Sequence, residues 1–301
     1  MISVVICSVK KHLAAQIKSN IDNTIGVPWE AVIIDNTSPS RGITAVYNDG
    51  ASRASFPILC FVHEDVAFLT QDWGKKIVGY FEADPGLGIV GVAGATYKSK
   101  TVAGWMTSVP HFDHYNITHR DPSGKNEKMS SGQSSQEGLI QVITLDGVFL
   151  CVPKKVITEI PFDETLLTGF HLYDIDLSWR IAKKYKAAVT LGIDLLHFTE
   201  GGDFGDRWLT ATMNWHDHYR NELPSLIPGT VVTGNEERTV ARFYLKRLRT
   251  EKISFRNKLK WVANSDAMKD PALWSYVLLF FVYKFFRPLI KTIKGQKVSQ
   301  H

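Results

Sequence analysis

Apolar positions in the first two hundred residues follow two alternating spacings. Short runs at Ile2–Ser8, Ala31–Ile34 and Ile58–Val62 read as buried strands. Leu13, Ile17 and Ile21 recur at helical spacing between the first two. Ile43, Val46, Tyr47, Gly50, Ala51 and Ala54 mark one face of a second helix. Trp73, Ile77, Tyr80 and Phe81 mark a third, with Asp72 placed to cap it. This alternation predicts a mostly parallel α/β sheet covered by helices. Farther on, Val142–Val152 reads as a strand interrupted by Asp146-Gly147. Ile175, Trp179 and Ala182 form the core face of a helix that opens with acids. The apolar run Val189–Leu196 ends at His197, ahead of Glu200-Gly201-Gly202.

Other stretches depart from this pattern. Gly86-Leu87-Gly88-Ile89-Val90-Gly91 spells GxGxxG but follows Asp84-Pro85 and leads into a strand, so a turn with a glycine-bearing strand is the better reading than a dinucleotide site. From His111 to Gly138 the chain is polar with little periodicity, too long for a simple connection. Its His111, His114 and His119 have no acidic or cysteine partner at ligand spacing and read as surface residues. After about residue 222 the character changes, dividing the chain into a domain over 1–222 and a basic, amphipathic helical region over 223–301. Glu236 to Lys260 is basic and helix-compatible. Pro271 to Ile293 is aromatic and apolar, with cations interspersed. Its longest uncharged run, Pro271–Tyr283, is shorter than the roughly 20 residues a bilayer span needs. An interfacial segment over about 271–295, its lysines and arginines meeting anionic headgroups, fits better. The competing reading is a terminal helix packed on the domain or on a second subunit of a homo-oligomer.

Composition adds bounds rather than a function. Of 301 residues, 44% are hydrophobic and 22% charged, which suits a packed globular core. The net charge of +5 is mild and lies largely late in the chain, so no nucleic-acid partner is required. The amino terminus enters a strand without a basic n-region, and no signal peptide is expected. Cys7, Cys60 and Cys151 each sit in an apolar stretch without paired spacing. They read as buried thiols, not as a disulfide or metal site, which points to a reducing cytoplasm.

Candidate chemistry gathers at strand ends. Ile58–Val62 runs directly into His63-Glu64-Asp65, and carboxylates at the carboxyl edge of an α/β sheet suit a divalent cation carrying a phosphate-bearing ligand. Asp35, with Asn36, Thr37 and Ser38 behind it, would lie on the same edge, although taken alone an Asx turn or a helix cap explains it more simply. Tyr173-Asp174-Ile175-Asp176 opens a helix, where acids could merely complement the macrodipole and Asp176 could pair with Arg180 at i,i+4.

In this order the motifs resemble a family 2 glycosyltransferase of the GT-A nucleotide-diphosphosugar fold, over about residues 1–220. The matching pieces are Val4-Val5-Ile6-Cys7, Ile33-Ile34-Asp35-Asn36-Thr37-Ser38, Phe61-Val62-His63-Glu64-Asp65, Leu145-Asp146-Gly147-Val148-Phe149-Leu150, Tyr173 to Arg180, and His197. The resemblance implies that Cys7, Ser8, Asp35, Asn36, His63, Glu64, Asp146 and Gly147 bind the sugar donor. It implies that Asp65 and His197 ligate Mn²⁺ or Mg²⁺, and that Asp174 is the catalytic base, with Asp176 as the alternative. His63 and Tyr173 replace acids in the family pattern. The implied activity is inverting transfer of a sugar from a UDP- or, second, dTDP-linked donor to a glycan or lipid-linked saccharide, in bacterial polysaccharide or glycoconjugate synthesis. The expected location is cytoplasmic or peripheral on the inner face of the cell membrane. A nucleotidyltransferase would also want acids at strand ends, but Ser8-Val9-Lys10-Lys11-His12 lacks the glycines of its phosphate loop. A non-catalytic nucleotide-sugar scaffold is the third reading, kept alive by His63 and Tyr173.

Overall fold

The computed structural model describes residues 1–131, 138–198, 204–265 and 267–282. The amino-terminal half opens with β1 (Ile2–Ser8), α1 (Lys11–Thr24), β2 (Trp29–Asp35), α2 (Ile43–Arg53), β3 (Ile58–Val62) and β4 (Val66–Phe68). It continues through α3 (Trp73–Ala83), β5 (Leu87–Gly91), β6 (Ala93–Ala95) and β7 (Tyr97–Lys98) to β8 (Asp113–Arg120) and β9 (Asn126–Ser130). Next come β10 (Leu139–Val142), β11 (Thr144–Leu145), β12 (Phe149–Pro153), α4 (Lys154–Glu159), α5 (Tyr173–Ala182), β13 (Lys186–Thr190) and β14 (Leu195–Phe198). The remainder holds α6 (Asp206–His218), β15 (Ser225–Leu226), α7 (Glu236–Thr250) and α8 (Phe255–Asn264).

The main sheet has the order β10-β13-β5-β12-β3-β1-β2. β1 pairs in parallel with β2 and β3, and β5 with β13, while β12 runs antiparallel between β3 and β5. Both faces are covered, as the unbroken apolar runs require. Val4, Ile6, Cys60 and Val62 pack on one side with Ile17 and Ile21 of α1 and Trp73 and Ile77 of α3. Val5, Leu59, Phe61 and Leu150 pack on the other with Tyr47 of α2, Val156 of α4 and Leu177 of α5. A second sheet, β11-β6-β8-β14-β4 with β9 on β8, stands beside the carboxyl edge of β3. β14 pairs there with both β4 and β8, which sets His197 opposite Val66 and His119.

The region after residue 222 shares a core with what precedes it. Val240, Tyr244 and Leu248 of α7 and Trp261 of α8 pack with Val102, Trp179 of α5, and Trp208 and Trp215 of α6. Glu237 of α7 accepts hydrogen bonds from Tyr97 Oη (2.6 Å), Ser99 Oγ (2.7 Å), Thr101 Oγ1 (2.9 Å) and the amides of Lys100 and Thr101 (both 3.0 Å). Gly104 N donates to Tyr244 Oη at 2.7 Å. Lys98 is fully buried, and burial lowers its pKa to about 7; its ammonium donates to Ala103 O and Gly104 O and stands 3.0 Å from His216 Nε2. The loop that follows β7 is thus fastened from α6 and α7.

Several sequence expectations need correction. Cys60 and Cys151 form a disulfide: they are direct partners across β3 and β12, with Cα atoms 4.1 Å apart. The pairing depends on the register of strands 91 residues apart, which Cys spacing does not disclose. Cysteine usage therefore gives no support for a reducing compartment. The polar stretch after His111 contains the hairpin of β8 and β9, turned at Asp121, whose carboxylate accepts from Ser123 and Lys125. Its strand period was hidden because buried Asp113 and Asn116 face inward, hydrogen-bonded to Thr107 and Ser108 and to Leu191 O and Ile193 O. Asp72 precedes α3, but in a left-handed conformation (φ 57°) with no side-chain cap bond, and it pairs with Lys75 instead. The GxGxxG letters do lie on a strand, β5. Glu200-Gly201-Gly202 and the tail from 283 onward lie outside the described residues.

Candidate active site

The carboxyl ends of β1 and β3, together with β14 and the start of α5, enclose a cavity of about 660 Å³, a size that takes a small ligand. Cys7, His63, Glu64, Asp65 and His197 line it, joined by Tyr47 and Tyr173. Ser8, Asp35, Asn36, Asp146, Gly147 and Asp174 are not among the lining residues. Four of the expected sugar-donor residues, Ser8, Asp35, Asn36 and Glu64, make hydrogen bonds within the protein. Glu64 accepts from Ser8 Oγ (2.8 Å) and from the amides of Val9 and Lys10, fixing the turn from β1 into α1. Asn36 closes its own loop through two bonds with the Arg41 backbone. Asp35 shares the edge of the sheet with Ser8, its register partner, and is held by Thr37 and by Lys11 at 3.7 Å. Those bonds keep its carboxyl below the usual range. Burial raises the Cys7 thiol to about 11, so it lines the cavity un-ionised.

His63, Asp65 and His197 converge, with one ligand atom from each lying within 4.8 Å of the others. Asp65 Oδ1 is 3.9 Å from His63 Nδ1, and Oδ2 is 3.4 Å from His197 Nε2. The backbone supports this arrangement, because Phe198 N donates to Asp65 O at 2.9 Å and so joins β14 to the acidic turn. Burial pushes the Asp65 carboxyl up, but the two histidines outweigh it and hold it below its ordinary value. Burial lowers the His63 imidazole, which favours the neutral form that a metal needs.

The two departures from the family pattern touch each other. His63 Nε2 lies 2.7 Å from Tyr173 Oη, and that hydroxyl donates to Gly147 O at 3.1 Å. A phenol has one hydrogen. With it directed to the carbonyl, Nε2 carries the imidazole hydrogen and the Nδ1 lone pair faces Asp65. This assignment of hydrogens follows from the network. It is the arrangement in which a ligating histidine is fixed by a second partner. Gly147 is required here: a Cβ on it would stand 2.2 Å from Tyr173 Oη.

Asp174 and Asp146 form the second charged pair of the site. Asp174 Oδ2 accepts from Gly147 N at 2.8 Å. Burial, and next the Asp146 charge, push the Asp174 carboxyl up to about 7. Asp146 accepts from Val148 N (3.0 Å) and from Trp105 Nε1 (2.6 Å), the indole being carried by the loop that α7 fastens. Sequence reasoning missed Trp105, because nothing in its local pattern distinguishes it from a core aromatic.

Asp176 has a different setting. It is fully buried, and its oxygens accept from Arg180 Nε (2.7 Å), Trp215 Nε1 (3.0 Å) and Tyr219 Oη (3.2 Å), tying α5 to α6. Asp176→Ala should destabilise the fold by about 3 kcal/mol, the lower end for a broken buried ion pair, since Arg180 keeps some solvent. Equilibrium denaturation checks this. A loss under about 1 kcal/mol would show that the α5–α6 tie does not depend on the carboxylate.

His119 is not the surface residue its sequence suggested. It faces His197 across β8 and β14 with ring centroids 5.5 Å apart, and its buried Nδ1 has no hydrogen-bond partner. His111 is exposed and His114 partly buried, and neither joins the metal-capable cluster among the described residues. No spacing rule links His119 to residue 197, because parallel pairing of distant strands brings them together.

Residues 3–210 match the model of a glycosyltransferase-like family, more than two thirds of the chain. The chain belongs to that family. No curated protein matches it. Among solved structures, S. aureus TarS 1–349 superimposes with a TM-score of 0.50 at 11% identity, covering 90% of this chain and 82% of that one, which bears on the fold alone. TarS 1–349 in complex with UDP-GlcNAc gives a TM-score of 0.49 at 11% identity, over 87% and 79% of the two chains. GalNAc-T7 with UDP, GalNAc and Mn²⁺ gives 0.49 at 11% identity; this chain is 88% covered but spans only 55% of that one. The glycosyltransferase has the GT-A fold that its motif order implied. Its matched segment ends within α6, before β15, α7 and α8 begin.

Proposed function

We propose that this glycosyltransferase moves a sugar from a nucleotide-diphosphate donor to an acceptor hydroxyl with inversion, and that a divalent metal assists. The observation that carries the reading is the convergence of His63, Asp65 and His197 on a cavity edged by Tyr173, whose neighbour Asp174 is raised to about 7. Two imidazoles and one carboxylate form a mixed nitrogen and oxygen donor set that fits Mn²⁺ better than Mg²⁺, which prefers oxygen alone. His63, Asp65 and His197 would hold the ion. Bound there, it would act as a Lewis acid on the diphosphate oxygens of the leaving group.

The chain's own residues supply the rest. Asp174 takes the acceptor proton as the hydroxyl attacks; a carboxyl near 7 is well matched to that work at neutral pH. The commitment of the Asp176 oxygens to Arg180, Trp215 and Tyr219 supports the choice of Asp174 over Asp176 as the base. Asp35, at the end of β2, would meet the nucleobase, beside Cys7, which lines the cavity. Gly147 holds Asp174 through its amide and Tyr173 through its carbonyl, and the Asp146 charge helps raise Asp174. UDP-sugars are the first choice of donor and dTDP-sugars the second. The acceptor is a glycan or a lipid-linked saccharide of a polysaccharide or glycoconjugate pathway.

The test is a panel of nucleotide sugars scored by Mn²⁺-dependent protection against thermal unfolding, followed by product analysis of the best donor. The expected result is one strongly protecting donor, release of nucleoside diphosphate, and an inverted product. Release of pyrophosphate would favour nucleotidyl transfer. Protection without turnover across an acceptor panel would favour a binding scaffold.

A further inference from the structure

The carboxyl-terminal region carries a second surface, none of whose residues lines the cavity described above. Residues 274–282 are helical and apolar on two sides. Leu273, at their start, with Val277 and Phe280, is buried in the core shared with α6, α7 and α8. The opposite side leaves Trp274 (57%), Leu278 (64%) and Leu279 (51%) exposed. Scattered exposed apolar residues are ordinary, whereas a contiguous helical face of them marks a contact surface. Beside it lies a groove of about 420 Å³ whose walls join Tyr276 and Leu279 to Arg242, Lys246 and Arg249 of α7. The guanidinium of Arg242 stands over the Tyr276 ring at 5.3 Å, and its buried Nε has no hydrogen-bond partner. A buried N–H without an acceptor costs free energy, and an anion in the groove would relieve that cost.

We infer that this face seats on an anionic phospholipid bilayer, with the apolar side of residues 274–282 entering the acyl boundary and the α7 cations receiving lipid phosphates. Adjacent exposed apolar and cationic surfaces are the chemistry of an interfacial helix. Charge complementarity selects the occupant: the groove is cationic, and the sequence after residue 282 adds Lys284, Arg287, Lys291, Lys294 and Lys297 with no acidic residue. No described helix is long and apolar enough to cross a membrane, so the association would be with one leaflet. The inference is independent of the catalytic reading, since none of its residues lines the active-site cavity.

Deleting this segment would expose the core that Leu273, Val277 and Phe280 cover, so surface substitutions give the cleaner test. The full chain is sedimented with vesicles of phosphatidylcholine alone and with vesicles containing about one third phosphatidylglycerol. Wild type should pellet with the anionic vesicles, remain in solution with the neutral ones, and be released by high salt. Lys246→Ala should weaken the partition roughly five-fold. Leu278→Ser with Leu279→Ser should weaken it about ten-fold or more. Both sites are exposed, and unfolding midpoints within a degree or two of wild type should confirm intact folds. Wild type that stays in solution with anionic vesicles, binds neutral vesicles equally, or is unaffected by both sets of substitutions would overturn the inference. Vesicle-independent self-association abolished by the leucine pair would also overturn it, assigning the face to a second copy of the chain.

Discussion

Asp174→Asn is expected to lower kcat by about 100- to 10,000-fold, the range for losing a positioned general base. Sugar-donor affinity should change little, because the base acts on the acceptor hydroxyl and not on the donor. The substitution is nearly isosteric and keeps an oxygen to accept from Gly147 N, so the fold should hold. The pH profile makes the assignment specific. The working form is the carboxylate, so kcat/KM should rise with pH and level off above about 7. Asp146→Asn removes a negative neighbour that helps hold Asp174 protonated, so its acid limb should move to lower pH. Burial, the larger cause, remains, and the limb should stay above that of a free carboxyl. Near-wild-type turnover by Asp174→Asn, or an unmoved limb in Asp146→Asn, would remove Asp174 from the role of base.

Asp65→Ala is expected to abolish the Mn²⁺ requirement together with most of the activity. Among the described residues Asp65 is the only carboxylate of the cluster, and it faces both histidines. Titrating Mn²⁺ against the unfolding midpoint should show saturable stabilisation of wild type and none of the variant. Tyr173→Phe provides the graded comparison: it removes the hydroxyl that holds His63 Nε2 and should weaken Mn²⁺ affinity about 10- to 100-fold without removing a ligand. Mn²⁺ stabilisation retained in full by Asp65→Ala would place the ion elsewhere.

Local pattern made the sheet readable. β1, β2, β3 and their helices announced themselves through apolar runs and helical spacing, and the acidic turn at Asp65 through its position after β3. What escaped sequence reading depends on register between distant strands. The Cys60–Cys151 bond, the pairing of His119 with His197 and the meeting of His63 with Tyr173 each join residues with no local signal of their proximity. The hairpin of β8 and β9 was obscured differently, since its inward positions include Asp113 and Asn116, whose hydrogen bonds let polar groups occupy buried sites. Asp174 and Asp176 carry equivalent letters in sequence. Only their neighbours distinguish a carboxylate wedged against another acid from one surrounded by three donors.

The five-bond clasp of Glu237 on residues 97–101 has a consequence for where this enzyme can be divided. Family likeness ends at residue 210, yet the strap leading to Trp105, and through its indole to Asp146, is tethered by a helix beginning at Glu236. The unit of inheritance and the unit of mechanical integrity therefore have different ends. A chain cut at the family boundary would keep the motifs that run from Val4 to His197 while losing the brace behind Trp105 and Asp146.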